Sequence, residues 1–258
     1  MTDATSTQAT AELRKLAHTL DVGVDRLDMV ATLPAPDLRT LRQQIGEALF
    51  QADRPHFVRV AALSKAVPVP VVAKITEVVM PPLIAARTAE LLDPHRAAEL
   101  VQRLSPRYLA DVSACMDAAR APEVIAAIPP ERVAAVGAEL ARRGEWVVIG
   151  SFVSQVTPAG LAASVAEYSG EQLLRISLVL DDPDRLDQIG RLLTSKQQDE
   201  LLVAAADEQL WLELTHVVNH LAPERLAALA GRYAAVAPEV RSAYEAALPA
   251  EVLAKLTA

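Results

Sequence analysis

The chain has 258 residues, of which 52% are hydrophobic and only 3% aromatic, and its formal net charge at pH 7 is -8. This acidic balance argues against a nucleic-acid-binding protein, because phosphate contacts need clustered Lys and Arg side chains. The single cysteine, Cys115, excludes an internal disulfide and a cysteine-rich zinc site, and it favours a reducing compartment.

The N-terminal region differs in composition from the rest of the chain. Residues 1–10 are rich in Thr and Ala and lack the cationic start and apolar run of a signal peptide, so we predict a disordered leader there. Residues 11–56 are predicted to form a separate helical segment. Its apolar residues recur at helical spacing from Leu13 to Leu20, a second, longer helix is predicted from Asp37 to Phe50, and Pro55 ends the region.

A short phrase recurs through residues 57–258: a small polar residue or proline, then Pro in most copies, then polar residues and an apolar stripe. Proline at the first helical position loses no hydrogen bond, and a preceding Asp, Ser or Thr can cap the free N–H groups. Each phrase therefore predicts a helix start. The predicted starts are Asp93, Ser105, Pro129, Thr157, Ser169, Asp182, Thr194, Ala222, Ala237 and Pro249.

Several neighbouring starts lie 12 residues apart, which leaves room for a helix of about two and a half turns and a tight connection. Helices this short are unstable alone and must stack on their neighbours. We therefore predict an all-α fold in which residues 57–258 form an irregular α-solenoid, or superhelix, of short Pro-initiated helices with a concave face.

The run from Leu91 to Pro106, LLDPHRAAELVQRLSP, resembles the cytosolic N-terminal superhelical domain of MgtE-type magnesium transporters. The run from Pro223 to Leu229, PERLAAL, repeats the pattern. The resemblance implies a fold of short helices opened by Pro-containing turns. It does not imply transport, and none of the metal-binding acidic residues of that family maps onto a position of this chain.

One long stretch near the middle of the chain, from Trp146 to Glu167, is almost free of charge. A membrane-spanning helix needs roughly 20 mostly apolar residues, and this stretch is interrupted at Thr157 and Pro158. We interpret it as two helices of a cytoplasmic protein without a transmembrane segment.

Three polar residues of a predicted helix, Glu213, His216 and His220, point within about 60° of one another. Two imidazoles and a carboxylate at this spacing could bind a transition metal. The alternative is that they form the polar flank of an amphipathic helix. The His-Glu-x-x-His order of a zinc protease is absent.

An acidic cluster comprises Asp181, Asp182, Asp184 and Asp187. Carboxylates suit hard cations, but Asp in the first turn of a helix also caps it and complements its dipole. We interpret the cluster as a helix start.

Residues 67–84 carry only two charged side chains, Lys74 and Glu77, between two pairs of prolines. Burial at the centre of the array is our first interpretation. The alternative is an apolar groove that binds a lipid or another hydrophobic small molecule. The residues predicted to line such a groove are Val72, Ile75, Val79, Met80 and Leu83.

The chain contains no nucleophile elbow and no Gly-rich phosphate loop, so we predict a protein that is not an enzyme and uses no cofactor. The main hypothesis is a binding or scaffold protein that presents a concave helical face to a protein partner, with self-association as a further expectation. The alternatives are a carrier or sensor of a hydrophobic small molecule at residues 67–84 and a metal-responsive regulator using Glu213, His216 and His220. The Ala-, Arg-, Val- and Pro-rich composition is typical of a bacterium with a high-GC genome.

Overall fold

The fold was obtained as a computed structural model that describes residues 2–180, 182 and 185–257. All regular secondary structure in these residues is helical, with 17 α-helices, two 3₁₀ helices and no strand. The predicted all-α fold class is therefore confirmed, whereas its solenoid form remains a prediction. In the same residues, no helix is both long enough and apolar enough to span a bilayer.

The helices follow one another with short connections. They are α1 (Thr2–Leu20), α2 (Ala35–Lys65), α3 (Val69–Val79), α4 (Pro82–Ala89), α5 (Pro94–Val101), α6 (Pro106–Cys115), α7 (Pro122–Ala126), α8 (Pro130–Arg142), α9 (Trp146–Val153), α10 (Pro158–Glu167), α11 (Gly170–Ser177), α12 (Arg185–Leu192), α13 (Ser195–Asp207), α14 (Trp211–His220), α15 (Pro223–Tyr233), α16 (Pro238–Ala247) and α17 (Ala250–Thr257), with 3₁₀ helices at Val24–Val30 and Ala118–Arg120.

The predicted helix starts are confirmed at nine of the ten positions, the exception being Asp182, whose neighbours 181, 183 and 184 lie outside the described residues. Asp93 caps α5 by accepting from the N–H groups of His95 and Arg96. Ser169 and Thr194 each form a reciprocal capping box with a Gln three residues later. The helix starts therefore follow from local hydrogen bonds.

Most helices from α2 onwards pack mainly against the next helix but one, whereas α14 packs mainly against α11 and α17, and α16 against α13. One series runs α2–α4–α6–α8–α10–α12, and the other includes α3–α5–α7 and α9–α11–α13–α15–α17. The 3₁₀ helix Ala118–Arg120 contacts both α7 and α9 and so joins the two parts of the second series. Most consecutive helices belong to the two series in turn and are joined by short connections. The two series are therefore interleaved along the chain.

The third residue after several helix caps binds the carbonyl end of an earlier helix. Arg96 donates to the carbonyls of Ser64 and Val67, about one helix pair earlier in the chain. Arg132 does the same at the end of α5, and Gln197 at the end of α10. Carbonyls at a helix C-terminus have no partner within the helix, and a guanidinium also suits the negative end of the helix dipole. The recurring phrase thus starts one helix and supplies the side chain that hydrogen-bonds this helix to the end of an earlier one.

We expect Arg132→Met to lower the free energy of unfolding by about 2 kcal/mol, because hydrogen bonds from a charged donor to the carbonyls at the end of α5 are lost. Methionine keeps most of the apolar stem and isolates the loss of the guanidinium. Urea denaturation would measure the effect, with Arg103→Met, at an exposed position, as the matched control. Equal stability of the two variants would contradict this role of Arg132.

The largest hydrophobic core extends over α6 to α17. Tyr244, which is fully buried, donates from its hydroxyl to the carbonyl of Leu202 at 2.9 Å and meets the Trp211 ring edge-on at 5.2 Å. A smaller core joins α3, α4, α5 and α6, and a third one holds α1 against α2. The helices therefore share successive cores along the chain.

The N-terminal region differs from the sequence-based expectation in two places. Helix α1 begins at Thr2, so residues expected to be a disordered leader are helical, and Thr7 and Ala11 are buried. Helix α2 continues through Pro55 to Lys65, so the predicted boundary at residue 56 falls inside a helix. Proline inside a helix costs about 3 kcal/mol. Stacked, buried Phe50 and Phe57 on either side of the proline offset this cost.

Candidate functional site

Helix α3 is delimited by prolines at both ends. Pro68 occupies the N-cap and Pro70 lies in the first turn, where a missing N–H costs nothing. Met80 follows the helix with an extended backbone (φ -85°, ψ 124°), as expected for a residue before proline. These prolines set the length of α3 to 11 residues and make it a stiff, separate unit.

The inner face of α3 is firmly attached to the array. Ala73 is buried, and Val72 and Met80 pack against the core that α3 shares with α4 and α6. The Tyr108 hydroxyl donates to the Met80 carbonyl at 2.9 Å, and burial raises the pKa of Tyr108 to about 12, which keeps this donor protonated. The Glu77 carboxylate accepts from the backbone N–H of Ser105 at 3.2 Å. The orientation of α3 is therefore well determined.

The outer face of α3 is an exposed apolar stripe. Its members are Val71, Ile75, Val78 and Val79, followed by Leu83 at the start of α4, and their exposed fractions are 47%, 52%, 76%, 73% and 50%. We call these five residues the α3 face. Large contiguous apolar surfaces are uncommon on soluble monomers and mark sites of interaction.

The segment around the α3 face differs in charge from the rest of the protein. Residues 54–83 contain four cationic residues, Arg54, Arg59, Lys65 and Lys74, and one anionic residue, Glu77, which gives a net charge of +3. All five are exposed. The remaining residues therefore carry a net charge of -11, which together with +3 gives the total of -8. The apolar stripe thus belongs to a segment of positive net charge in an otherwise acidic chain.

The residues predicted to line an apolar groove divide between two faces. Ile75, Val79 and Leu83 belong to the exposed α3 face, whereas Val72 and Met80 point into the core. The interpretation of residues 67–84 as a buried centre is therefore wrong for the outer half of the helix, because no helix in the described part of the chain covers it. Val71 and Val78 were missed, although their spacing from Ile75 places all three on one helical face.

The predicted metal residues lie where α1 packs against α14. Glu213 is ion-paired with Arg14 of α1, with Oε1 and Nη1 3.6 Å apart. His216 is 5% exposed, and its ring centroid lies 4.3 Å from that of His220. Nδ1 of His220 is 2.8 Å from the carbonyl oxygen of His216. Glu213 thus pairs α14 with α1, and the His216 and His220 side chains pack against each other on α14.

Burial, together with the neighbouring His220 and Lys15, lowers the pKa of His216 to about 4. The ring is therefore neutral near pH 7. No group of three or more His, Cys, Asp or Glu side chains that could hold a metal ion occurs in the described part of the chain. The arrangement supports a packing role for these residues.

A buried ionic cluster fastens α1 to its neighbours. Glu12 is 1% exposed, and its carboxylate accepts from Lys15 at 3.3 Å, from Arg39 at 3.0 Å and from Arg42 at 3.3 Å. Lys15 also donates to the carbonyl of Leu180 at 3.2 Å, 165 residues further along the chain. This cluster links α1 both to α2 and to the end of α11.

Two members of the predicted acidic cluster, Asp181 and Asp184, lie outside the described residues. Asp187 is ion-paired with Arg225 and Arg191 and accepts from the N–H of Ala222. The hydrogen bond from Arg225 is the main cause that lowers the pKa of Asp187. Asp187 therefore joins α12 to the start of α15.

Comparison with known proteins gave no matching family model, no matching curated protein and no matching solved structure. The resemblance to the MgtE-type domain stays a prediction.

Proposed function

We propose that this protein is a non-catalytic helical binding module that docks a protein partner through the α3 face. The observation that carries the proposal is the exposed apolar stripe on a helix whose opposite side is firmly packed. Such a stripe offers a partner a rigid apolar surface, so little conformational entropy is lost on binding.

The positive net charge of residues 54–83 defines the chemistry of the partner. Arg54, Arg59, Lys65 and Lys74 favour an acidic segment, because complementary charges raise the association rate and select against basic competitors. A stripe along one helix fits an amphipathic helix with apolar residues at spacings of three and four. The proposed partner is therefore an acidic amphipathic helix of another protein.

Pairing of two copies through the α3 face is disfavoured by charge. A symmetric dimer would bring together two copies of segment 54–83, each of net charge +3. Like charges across an interface suppress association. The homo-oligomer expected from the sequence would thus have to use another surface.

A helical peptide library displayed on phage would test the proposal. Selection on the wild-type protein is expected to enrich acidic peptides with apolar residues at helical spacing. Ile75→Asp combined with Val78→Asp is expected to weaken their binding at least about tenfold, by loss of apolar contact and by a change of charge. Met29→Asp, at a position that is 86% exposed, is the matched control and should bind like the wild type.

Two results would overturn this proposal. One is that the selected peptides bind the double variant as tightly as the wild type. The other is that no peptide binds while vesicles of phosphatidylcholine and phosphatidylserine bind the wild type and not the double variant, which would identify a lipid surface as the partner. Circular dichroism of the variants would verify that exposed substitutions leave the fold intact.

A further inference from the structure

Helix α1 has two buried faces that meet different parts of the molecule. Leu16 and Ala17 belong to the core that α1 shares with α2. Thr7, Ala11 and Lys15 are also buried, and their spacing of four residues places them together on the other side of the helix. Helix α1 contacts α9 and α14 in addition to α2. The second face is therefore the one that lies on the array.

Residues 2–50 form a unit with a core of its own, which we call the N-terminal hairpin. It comprises α1, the first 3₁₀ helix and the first half of α2. Its core contains the buried side chains of Leu16, Leu27 and Leu38, and the Glu12 carboxylate pairs with two arginines of α2. Among the residues that the structure describes, none of α1 belongs to the large core of α6 to α17. The hairpin is therefore held together by contacts that differ from those attaching it to the array.

The contacts between α1 and the array are polar. Lys15 donates to the carbonyl of Leu180 at 3.2 Å, and Arg14 is paired with Glu213 at 3.6 Å. If the hairpin moves as one body, Glu12 moves with Lys15, so the ammonium group keeps its carboxylate partner. Polar interfaces between parts of one chain permit relative motion of these parts.

Pro55 marks the place where α2 passes from the hairpin to the array. Beyond it, Phe57 and Ala61 are buried, and Arg96 donates to the carbonyls at the end of α2. Pro55 has no N–H group, so the carbonyl of Gln51 lacks its usual helical donor. Gln51 and Pro55 are both exposed. The helix is therefore weakest at a point where little else packs against it, as expected of a hinge.

The contacts nearest to this hinge favour the closed position. Glu47 pairs with Arg120, whose guanidinium carbon lies 4.3 Å from the centroid of the Phe50 ring. Phe50 also stacks on Phe57 across the hinge. The Glu47 side chain is 52% exposed, and ion pairs at exposed positions contribute little. Opening therefore breaks few strong contacts outside the face of α1.

We propose that the N-terminal hairpin is a lid on the array, which bends away at Pro55 as one body. Opening uncovers the surface of α9, the end of α11 and α14, with the Leu180 carbonyl, the His216 ring and the Glu213 carboxylate. The second half of α2 and α3 stay with the array when the lid opens. Lid opening and the docking of a partner on the α3 face are therefore independent.

Cysteine labelling of the full chain tests the lid, in a Cys115→Ser background that removes the native thiol. Ala11→Cys and Ala17→Cys form a matched pair, because both alanines are buried but they lie on the two different faces of α1. Opening as one body exposes residue 11 and leaves residue 17 inside the hairpin. Iodoacetamide is therefore expected to modify Ala11→Cys at least about tenfold faster than Ala17→Cys.

Two further substitutions should change the labelling rate at residue 11 and leave the rate at residue 17 unchanged. Arg14→Glu places a second carboxylate opposite Glu213 and should raise the rate about fivefold. Arg26→Glu, at an exposed position of the same hairpin, is the matched control and should not raise it. Pro55→Ala supplies the missing N–H group at the hinge and should lower the rate about fivefold.

Three results would overturn the lid. The first is an equal labelling rate for Ala11→Cys and Ala17→Cys, because both faces of α1 would then become exposed in the same event. The second is an equal effect of Arg14→Glu and Arg26→Glu. The third is an unchanged rate at residue 11 in Pro55→Ala, which would show that the hairpin does not bend there.

Discussion

Glu12→Gln is expected to lower the free energy of unfolding by about 4 kcal/mol, because it removes the carboxylate from a buried ionic cluster. The Glu12 and Lys15 side chains are 2% and 4% exposed. Water therefore cannot solvate the ammonium group of Lys15 once the charge of Glu12 is removed. Arg39 and Arg42 contact the same carboxylate from α2. The substitution preserves the shape of the side chain, and its effect therefore reports on charge.

Urea denaturation would measure this effect, since urea, unlike guanidinium, does not screen ion pairs. Hydrogen exchange over residues 7–20 would show whether α1 detaches before the rest unfolds. The matched control is Glu47→Gln, at a glutamate whose side chain is 52% exposed and pairs with Arg120, and it is expected to cost much less stability because solvent screens an exposed pair. If the two variants lost equal stability, the buried cluster would not be what holds α1.

Adding Lys15→Met to Glu12→Gln should restore part of the lost stability. An apolar side chain can replace a buried charge whose partner has been removed. The coupling between the two sites is measured by a double-mutant cycle. Additive losses would contradict a direct interaction between Glu12 and Lys15.

Acidification from pH 6.5 to pH 4 should cost about 3 kcal/mol of stability through His216 alone, because its pKa falls from 6.5 in the unfolded chain to about 4 in the folded one. Between these values the unfolded chain binds a proton that the folded chain does not, so stability rises with pH. The contribution is fully present above pH 6.5 and is lost as the pH falls. Burial beside His220 and Lys15 is the physical cause.

The measurement is the unfolding free energy of wild type and His216→Leu as a function of pH. Carboxylates with lowered pKa values, such as Glu139 beside Arg142, also cost stability in acid, but they are common to both proteins and cancel in the difference. The matched control is His95→Leu, at a histidine whose side chain is 85% exposed. Parallel profiles for wild type and His216→Leu would show that His216 does not titrate with a lowered pKa.

The starts of the helices were predictable because a helix cap depends on residues within three positions. Asp93, Ser105, Thr157, Ser169 and Thr194 all bind backbone N–H groups of their own first turn. Composition and the recurring phrase likewise determined the all-α class, since prolines at helix starts and small apolar residues favour short packed helices. The arginine that follows the cap was visible in the phrase, but its partner carbonyl about one helix pair earlier was not.

The candidate site depended on contacts that no local pattern records. Residues 67–84 are apolar on both sides of α3, and only the position of α3 in the array decides that Ala73 is buried while Val78 is exposed. The same holds for Glu213 and His216, whose partner α1 comes from the opposite end of the chain. The sequence by itself determined where helices begin and that they must pack together. Only the tertiary structure decided which faces are covered, because burial depends on contacts between residues as distant in sequence as Lys15 and Leu180.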